Sequence, residues 1–231
     1  MKLIVLTGGI ACGKTTVGDY LQQYYNIPII DSDKITYQLQ RPGGSAYAKI
    51  VKVFGDKYLN SDKTINRKKL GDLVFHDFSE RRKLNHIVHP LVLRTIFCET
   101  IKCWFSREPI VVVDVPLFFE IHMKPKFFDE VVTVAVKPEV QIERLMKRNN
   151  FSLETAESRI KSQIPIEKKC KQSTFVINNE GSKEETKKQV DSLIKKLRSE
   201  NQIFTRYPDP IFLLFLLLLI IVVIVFITKR R

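Results

Sequence analysis

The run T-G-G-I-A-C-G-K-T-T at 7–16 constrains the fold of this chain more than any other feature. It contains the spacing Gly-x4-Gly-Lys-Thr, which is the phosphate-binding P-loop. An apolar run at 2–6 precedes it, and apolar residues at helical spacing follow from Val17 onward. Glycines let the backbone bend so that successive N–H groups point at one anion, and a helix start adds its positive end. We therefore predict a strand, a phosphate loop and a helix in this order.

The residues of this loop are candidates for binding a nucleoside triphosphate, and the loop alone leaves a motor, a GTPase, an ATPase and a kinase open. Lys14 supplies a point charge for the β- and γ-phosphates, so it is also a candidate catalytic residue, and Thr15 offers a hydroxyl to Mg²⁺. The last predicted strand ends in polar residues, and ligands of such folds gather at the carboxyl ends of strands. The predicted nucleotide-binding residues are Gly8, Gly9, Ile10, Ala11, Cys12, Gly13, Lys14, Thr15, Thr16 and Asn179.

The charge of the chain favours anionic partners. The 231 residues carry a formal net charge of +13, which suits nucleotides or an acidic membrane face. No basic stripe is interleaved with aromatic residues, so we expect no nucleic-acid partner. The four cysteines match neither a zinc site nor a disulfide framework, so we expect free thiols. No feature of the sequence indicates an oligomeric state.

The C-terminal segment differs in composition from the rest. Residues 211–227 are only Ile, Phe, Leu and Val, and three basic residues, 229–231, end the chain. As a helix, the segment would span ~25 Å, close to the ~30 Å hydrocarbon core. We therefore expect 205–231 to be a membrane anchor with one transmembrane helix. The tail would leave the catalytic part facing the cytosol, at the mitochondrial outer membrane or the endoplasmic reticulum.

The remaining pattern predicts an α/β domain over 1–204. Short apolar runs alternate with helical stretches, which is typical of a parallel sheet with helices on both faces. The predicted later strands are 27–30, 110–114, 131–136 and 175–177. Ligands of such folds bind at the carboxyl ends of the strands. The polar residues at these ends are Asp31, Asp33, Asp114, Asn178 and Asn179.

Several motifs in one register over residues 1–200 carry a family resemblance. Besides the P-loop they are I-D-S-D at 30–33, L-N-H-I-V-H-P-L-V at 84–92, V-V-V-D-V-P-L-F-F-E at 111–120, R-L-M-K-R-N at 144–149 and S-R-I-x-x-Q-I-P at 158–165. The chain resembles the dephospho-CoA kinases. The resemblance implies ATP-dependent phosphorylation of the ribose 3′-hydroxyl of dephospho-CoA, giving CoA. It also implies a P-loop kinase core, a helical substrate region at about 40–105 and a lid at about 140–171.

Three aspartates are candidates for the chemistry and for acceptor binding. A hydroxyl nucleophile needs a carboxylate that accepts its proton, and Asp33 is the predicted base. Asp31 shares that role, organises Mg²⁺ through water, or caps the following helix. Asp114 follows a β-branched run and resembles a Walker B carboxylate, although in the family this stretch also borders the acceptor.

Basic residues are the remaining candidates. Arg144 and Arg148 lie on one helix face in the predicted lid, and arginine forks fit the oxygens of a migrating phosphoryl group. They are predicted catalytic residues, and Arg159 is a predicted substrate-binding residue. The family match also places His89 near the CoA-side pocket. Asn178 stands where the family more often has Asp, which leaves the adenine contacts open.

Two alternatives remain. The same fold serves other small-metabolite and nucleoside kinases, and a membrane-anchored scaffold could bind nucleotide without catalysis. No Asn-Lys-x-Asp guanine motif is present, which disfavours a GTPase.

Overall fold

The computed structural model describes residues 1–121, 123 and 125–204, with side chains up to residue 199. The strands are β1 (Lys2–Gly8), β2 (Ile29–Asp31), β3 (Ile110–Asp114), β4 (Glu130–Ala135) and β5 (Phe175–Asn178). The α-helices are α1 (Lys14–Tyr25), α2 (Ser32–Leu39), α3 (Tyr47–Phe54), α4 (Arg67–His76), α5 (Phe78–Phe105), α6 (Pro138–Asn149), α7 (Leu153–Lys161), α8 (Ile166–Lys171) and α9 (Lys183–Phe204). Within the described residues, strands and helices alternate as predicted.

The strands form one parallel sheet in the order β2-β3-β1-β4-β5. Every residue of β3 is buried, and so are residues 4–8 of β1. Strands covered on both sides read as continuous apolar runs, which explains why they were visible in the sequence. The prediction of an α/β fold with a P-loop and a parallel sheet is confirmed.

The turn between β1 and α1 depends on glycine at two positions. Gly13 is the N-cap of α1 and has φ +84°. Any residue that has a Cβ would be strained in this conformation. A Cβ on Gly8 would lie 2.6 Å from the carbonyl oxygen of Val134 on the neighbouring strand. The first position therefore shapes the helix start, and the second allows β4 to approach.

Helices α3, α4 and α5 enclose an apolar cluster of their own. Its buried members are Ala46, Ile50, Phe54, Ile65, Leu70 and Val88. The predicted break at 41–44 is a turn in which Gly43 has φ +85°. Asp77 caps α5 by accepting hydrogen bonds from the N–H groups of Ser79 and Glu80. The helical region therefore has local stop and start signals and a core of its own.

The segment after β4 folds into α6, α7 and the short α8. Ser152 caps α7 by accepting a hydrogen bond from the Thr155 N–H at 3.3 Å. The sequence pattern predicts no separate helix for α8, which follows Pro165 and has only six residues. Residues 1–194 form one compact unit. The described residues beyond it are helical as far as Phe204.

The predicted fold also included a transmembrane helix, and this part of the prediction is wrong. Among the helices of residues 1–121, 123 and 125–204, none combines the length and the apolar character that a membrane span requires. The long helices α5 and α9 carry many charged residues along their length, which the hydrocarbon core does not accept. The apolar segment 211–227, on which the prediction depended, lies outside the described residues.

Candidate active site

The carboxyl ends of β2 and β3 bring two predicted aspartates side by side. The parallel register pairs Asp31 with Asp114, and it pairs Asp114 with Leu6 of β1 on the other side. The P-loop begins just beyond Leu6, so Lys14 reaches this edge. Its ammonium group contacts both carboxylate oxygens of Asp114, with Oδ2 at 2.5 Å. Motifs a hundred residues apart in the sequence therefore meet at one edge of the sheet.

Asp31 and Asp33 have different places in this edge. Asp31 is the N-cap of α2, and its Oδ1 accepts hydrogen bonds from the N–H groups of Asp33 and Lys34, each at 2.9 Å. Asp33 lies in the first turn of α2, not at the end of a strand as predicted. The cap therefore fixes one carboxylate and leaves the side chain of Asp33 exposed on the helix start.

Burial, together with neighbouring carboxylates, raises the pKa of two carboxyl groups at this edge. The pKa of Asp33 rises because of desolvation and the nearby charge of Asp31, against an opposing effect of Lys14. Burial likewise raises the pKa of Asp114, which is 8% exposed, although the bonded Lys14 lowers it. A general base works best with a pKa nearer to neutrality than that of an ordinary aspartate. Asp33 has this property and is accessible.

The carbonyl groups of the P-loop are held by side chains from distant elements. The Ile10 carbonyl accepts a hydrogen bond from Gln141 Nε2 at 2.8 Å, and the Cys12 carbonyl accepts one from Asn179 Nδ2 at 2.9 Å. The Gly8 carbonyl lies 3.4 Å from the ammonium group of Lys169. Since alternate carbonyls are bound from the protein interior, the loop keeps the curvature that an anion-binding backbone needs.

A buried ion pair lies behind the loop. Lys169 of α8 has a fully buried side chain, and its Nζ is 2.6 Å from Glu120 Oε1. Glu120 Oε1 also accepts a hydrogen bond from the Ile164 N–H at 3.1 Å, and Oε2 is buried without a hydrogen-bond partner among the described residues. The Gln163 side chain accepts the Ile10 N–H at 3.1 Å. The chain that follows α7 is thus connected to the P-loop at two points.

Arg144 and Asn179 are the predicted residues that approach the loop from the far side of the sheet. Arg144 Nη2 donates to the Asn179 carbonyl at 2.9 Å. The Asn179 side chain is oriented by Thr186, whose hydroxyl donates to Oδ1 at 2.8 Å. A Cβ on Gly13 would collide with the Asn179 amide and would lie 3.9 Å from Arg144 Nη1. The structure therefore places a guanidinium group beside the start of α1.

Three other predicted residues have their contacts elsewhere. Arg148 is exposed and donates from Nε to Asn149 Oδ1 at 2.9 Å. Arg159 lies over the Phe151 ring, 4.9 Å from its centroid. His89 lies on the exposed face of α5, in an open pocket of about 370 Å³ lined by residues of that helix. Desolvation and the nearby His86 lower its pKa, so the imidazole is neutral at pH 7.

The groups at the sheet edge fit a magnesium ion that arrives with a nucleotide. Mg²⁺ prefers oxygen ligands and is usually bound by one or two carboxylates together with substrate phosphates and water. The Thr15 hydroxyl is exposed at the start of α1, and Asp31 and Asp114 lie beside each other nearby. In the described part of the chain, no group of three or more acidic, His or Cys side chains is arranged to hold a metal ion by itself. This donor set fits an ion shared with phosphates.

Several residues of the site carried no assignment from the sequence. Gln163 and Glu120 stand within motifs that carried the family resemblance, so their positions were marked although their roles were not. Gln141 lies on α6 without a local signal. Lys169 belongs to the charged run 167–171, which reads as a solvated helix face. Its burial is a property of the tertiary structure alone.

Comparisons with known proteins agree with this geometry. The family model described as dephospho-CoA kinase matches residues 2–185. A dephospho-CoA kinase of Lactobacillus johnsonii is 41% identical over 192 residues, which are 83% of this chain and 96% of the relative. A dephospho-CoA kinase of Bacillus anthracis is 45% identical over 196 residues, which are 84% of this chain and 96% of the relative.

Solved structures show the same fold. The crystal structure of TT1252 from Thermus thermophilus superposes with a TM-score of 0.72 at 28% identity, covering 85% of this chain and 97% of that one. The dephospho-CoA kinase from Campylobacter jejuni has a TM-score of 0.64 at 29% identity, covering 87% of this chain and 100% of that one. The similarity therefore extends over nearly the whole length of both solved chains.

The comparisons also correct the predicted location. These relatives are dephospho-CoA kinases of bacteria. Their matches cover 96% of each relative and leave about a sixth of this chain unmatched. The prediction of a tail-anchored protein facing the cytosol, with a membrane as partner, is wrong by this comparison.

Proposed function

The chain belongs to the dephospho-CoA kinase family, and we propose that it transfers the γ-phosphoryl group of ATP to the ribose 3′-hydroxyl of dephospho-CoA. The product is CoA, so the reaction is the last step of CoA biosynthesis. The observation that carries this proposal is the placement of Asp33 in the first turn of α2, beside the edge where Lys14 and Asp114 meet. An accessible carboxylate next to a phosphate loop is what transfer to an alcohol needs.

ATP binds with its phosphates in the P-loop. Lys14 bonds to Asp114, so phosphate oxygens compete with a carboxylate for the ammonium group. When Lys14 turns to the β- and γ-phosphates, Asp114 is released toward the sheet edge. Arg144, beside the start of α1, supplies the second positive charge over the transferring group. Arg148 and Arg159 join it only if the lid moves.

Proton transfer belongs to Asp33. The 3′-hydroxyl of the acceptor hydrogen-bonds to this carboxylate, which orients the oxygen toward the γ-phosphorus and accepts the proton as the bond to phosphorus forms. Its raised pKa makes it a stronger base than an ordinary aspartate. Asp31 holds the helix start in place and contributes its charge to that raised pKa.

Mg²⁺ accompanies ATP in this proposal. The Thr15 hydroxyl would hold it together with the phosphates, and Asp114 or Asp31 would hold its bound water. The ion supplies charge neutralisation for the phosphate oxygens when bound. We also assign the loop residues from Gly8 to Thr16, and Asn179, to nucleotide binding; the support is that Asn179 holds the Cys12 carbonyl of this loop.

The parts of the domain have separate tasks. We assign the helical region at about 40–105 to the acceptor and the helices at about 140–171 to the lid, within a kinase domain of 1–204. His89 on α5 belongs to the acceptor side in this assignment. The support is that the helical region has its own core and that α2, which carries Asp33, packs on α5.

A phosphoryl-transfer assay with the full chain tests the function. ATP, MgCl₂ and dephospho-CoA are mixed with the protein, and the product is identified by its mass and by an authentic CoA standard. We expect dephospho-CoA to gain one phosphoryl group at the 3′ position. Transfer to adenosine or a nucleoside monophosphate without transfer to dephospho-CoA would instead indicate a different kinase of this fold. ATP binding without any transfer would indicate a scaffold.

A further inference from the structure

Two arginines converge on one exposed tyrosine near the catalytic edge. The Arg67 guanidinium carbon lies 4.3 Å from the centroid of the Tyr37 ring, and that of Arg41 lies 5.7 Å from it. The ring itself is 50% exposed. We call Arg41 and Arg67 the arginine pair, and the side chain of Tyr37 the ring.

This arrangement is built from separate elements. Tyr37 belongs to α2, Arg41 follows the end of that helix, and Arg67 is the first residue of α4. Long cationic side chains on a surface usually extend separately into water, whereas here a ring face attracts both guanidinium groups. Within the described residues, neither guanidinium forms an ion pair with a carboxylate. Both charges therefore remain available to an anionic ligand.

The arginine pair lies along the same helix as the proposed base. Asp33 and Tyr37 are four residues apart in α2, so they lie on one helix face with a rise of ~6 Å between them. A ligand that reaches Asp33 with one end would extend past the ring of Tyr37 if it followed this face. The two guanidinium groups would then lie beside the part of the ligand that is one helical turn from the reacting hydroxyl.

The acceptor of the proposed reaction has its negative charge at that distance. In dephospho-CoA, a diphosphate leaves the 5′ carbon of the same ribose whose 3′-hydroxyl is phosphorylated. Arginine forks match phosphate oxygens bidentately and remain charged at every relevant pH. We propose that Arg41 and Arg67, aligned on the ring of Tyr37, bind the diphosphate of the acceptor while Asp33 binds its 3′-hydroxyl. This inference rests on the proposed function and adds the acceptor site to it.

The test compares two acceptors that differ in the diphosphate. Dephospho-CoA carries it, whereas adenosine offers the same 3′-hydroxyl without it. For Arg41→Gln and for Arg67→Gln, we expect the KM for dephospho-CoA to rise about tenfold, which corresponds to about 1.4 kcal/mol. The KM for ATP and the slow rate with adenosine should stay unchanged. Lys68→Gln is the matched control, because it removes an exposed positive charge from the same helix turn.

The role of the ring has its own readout. Tyr37→Phe keeps the face on which the guanidinium groups lie, so the KM for dephospho-CoA should remain at the wild-type value. Tyr37→Leu removes that face and should raise this KM several-fold while kcat at saturation is kept. A phenylalanine variant as impaired as the leucine variant would mean that the hydroxyl, rather than the ring, matters, and would overturn the positioning role of the ring.

Direct binding separates this inference from the function itself. Calorimetric titration of the full chain with dephospho-CoA needs no turnover. If the arginine variants bind dephospho-CoA as tightly as the wild type does, the inference is overturned even when the protein is an active dephospho-CoA kinase. If the wild type shows no transfer, but both variants bind dephospho-CoA more weakly than the wild type does, the diphosphate site stands and the proposed reaction fails.

Discussion

The ammonium group of Lys169 and Glu120 Oε1 lie 2.6 Å apart, with the lysine side chain completely buried behind the P-loop. The same ammonium group lies 3.4 Å from the Gly8 carbonyl. A buried charge is tolerated only when it is paired and hydrogen-bonded, so this pair constrains both partners. It connects α8, the segment after β3 and the first carbonyl of the phosphate loop.

Breaking this pair should destabilise the protein and loosen the loop. Lys169→Met keeps the side-chain length but leaves the partly buried Glu120 without its cation, which should cost roughly 3 kcal/mol of unfolding free energy. The KM for ATP should rise as the Gly8 carbonyl loses its donor. Urea unfolding and initial rates at varied ATP measure the two effects. Lys168→Met, in which an exposed neighbour is changed, should behave as the wild type does.

The double variant Lys169→Met with Glu120→Gln gives the coupling between the two residues. It removes both charges, so it should be clearly more stable than Lys169→Met alone. Additive losses in the double variant would mean that the pair does not act as a unit.

Asp33 should be the residue whose loss affects chemistry most selectively. Asp33→Asn removes the proton acceptor, so kcat should fall by roughly 10²- to 10⁴-fold. The affinity for ATP should remain, because the P-loop contacts are unaffected. Single-turnover rates and equilibrium binding of ATP make the comparison. A variant with unchanged kcat would show that the carboxylate does not accept the proton.

The burial of Asp33 and the charge of Asp31 should set the pH profile. Because Asp33 acts when deprotonated, kcat/KM falls as the pH drops through its pKa, and a raised pKa places that fall at a higher pH. The charge of Asp31 contributes to the raised pKa, so Asp31→Asn should lower it and move the acidic limb to lower pH. Asparagine also caps helices well, so α2 should remain intact.

The control for this pH profile is the same substitution at an acidic residue away from the predicted site. Asp19→Asn on the exposed face of α1 removes the same charge and should leave the acidic limb in place. An equal displacement in both variants would indicate a general charge effect and not a local one.

The sheet and the P-loop could be predicted from the sequence because their signals are local. Buried parallel strands are continuous apolar runs, and a loop that binds phosphate needs glycine at fixed positions. Asp33 was placed at the end of a strand because the sequence does not show that Asp31 already ends β2 and caps α2. Capping shifts an element boundary by one or two residues, which is enough to move a side chain from a strand to a helix.

The support behind the loop could not be predicted because its signals are not local. Gln141, Gln163 and Lys169 contact the P-loop from positions more than a hundred residues away in the sequence. A lysine in a charged run has the composition of a solvated helix, and only the packing of α8 against β4 makes it a buried cation. The apolar C-terminal segment led to a wrong prediction for a related reason. The membrane anchor was predicted from the composition of this segment alone.

Asn179 offers a test of whether the carboxamide holds the loop. Its Nδ2 donates to the Cys12 carbonyl while Thr186 donates to its Oδ1. In Asn179→Asp, an oxygen replaces the donor and faces the carbonyl, so two acceptors oppose each other at the base of the P-loop. An acceptor left without a donor costs roughly 1–3 kcal/mol, so the KM for ATP should rise about tenfold or more.

The neighbouring asparagine provides the matched control. Asn178→Asp makes the same chemical change at an exposed residue whose Oδ1 accepts the Glu180 N–H, a bond that a carboxylate keeps. Its KM for ATP should equal that of the wild type. If Asn179 contacted only the adenine and did not hold the loop, Asn179→Asp would impair ATP but leave the binding of inorganic triphosphate unchanged. We expect both ligands to bind more weakly, because the curvature of the loop serves the phosphates that they share.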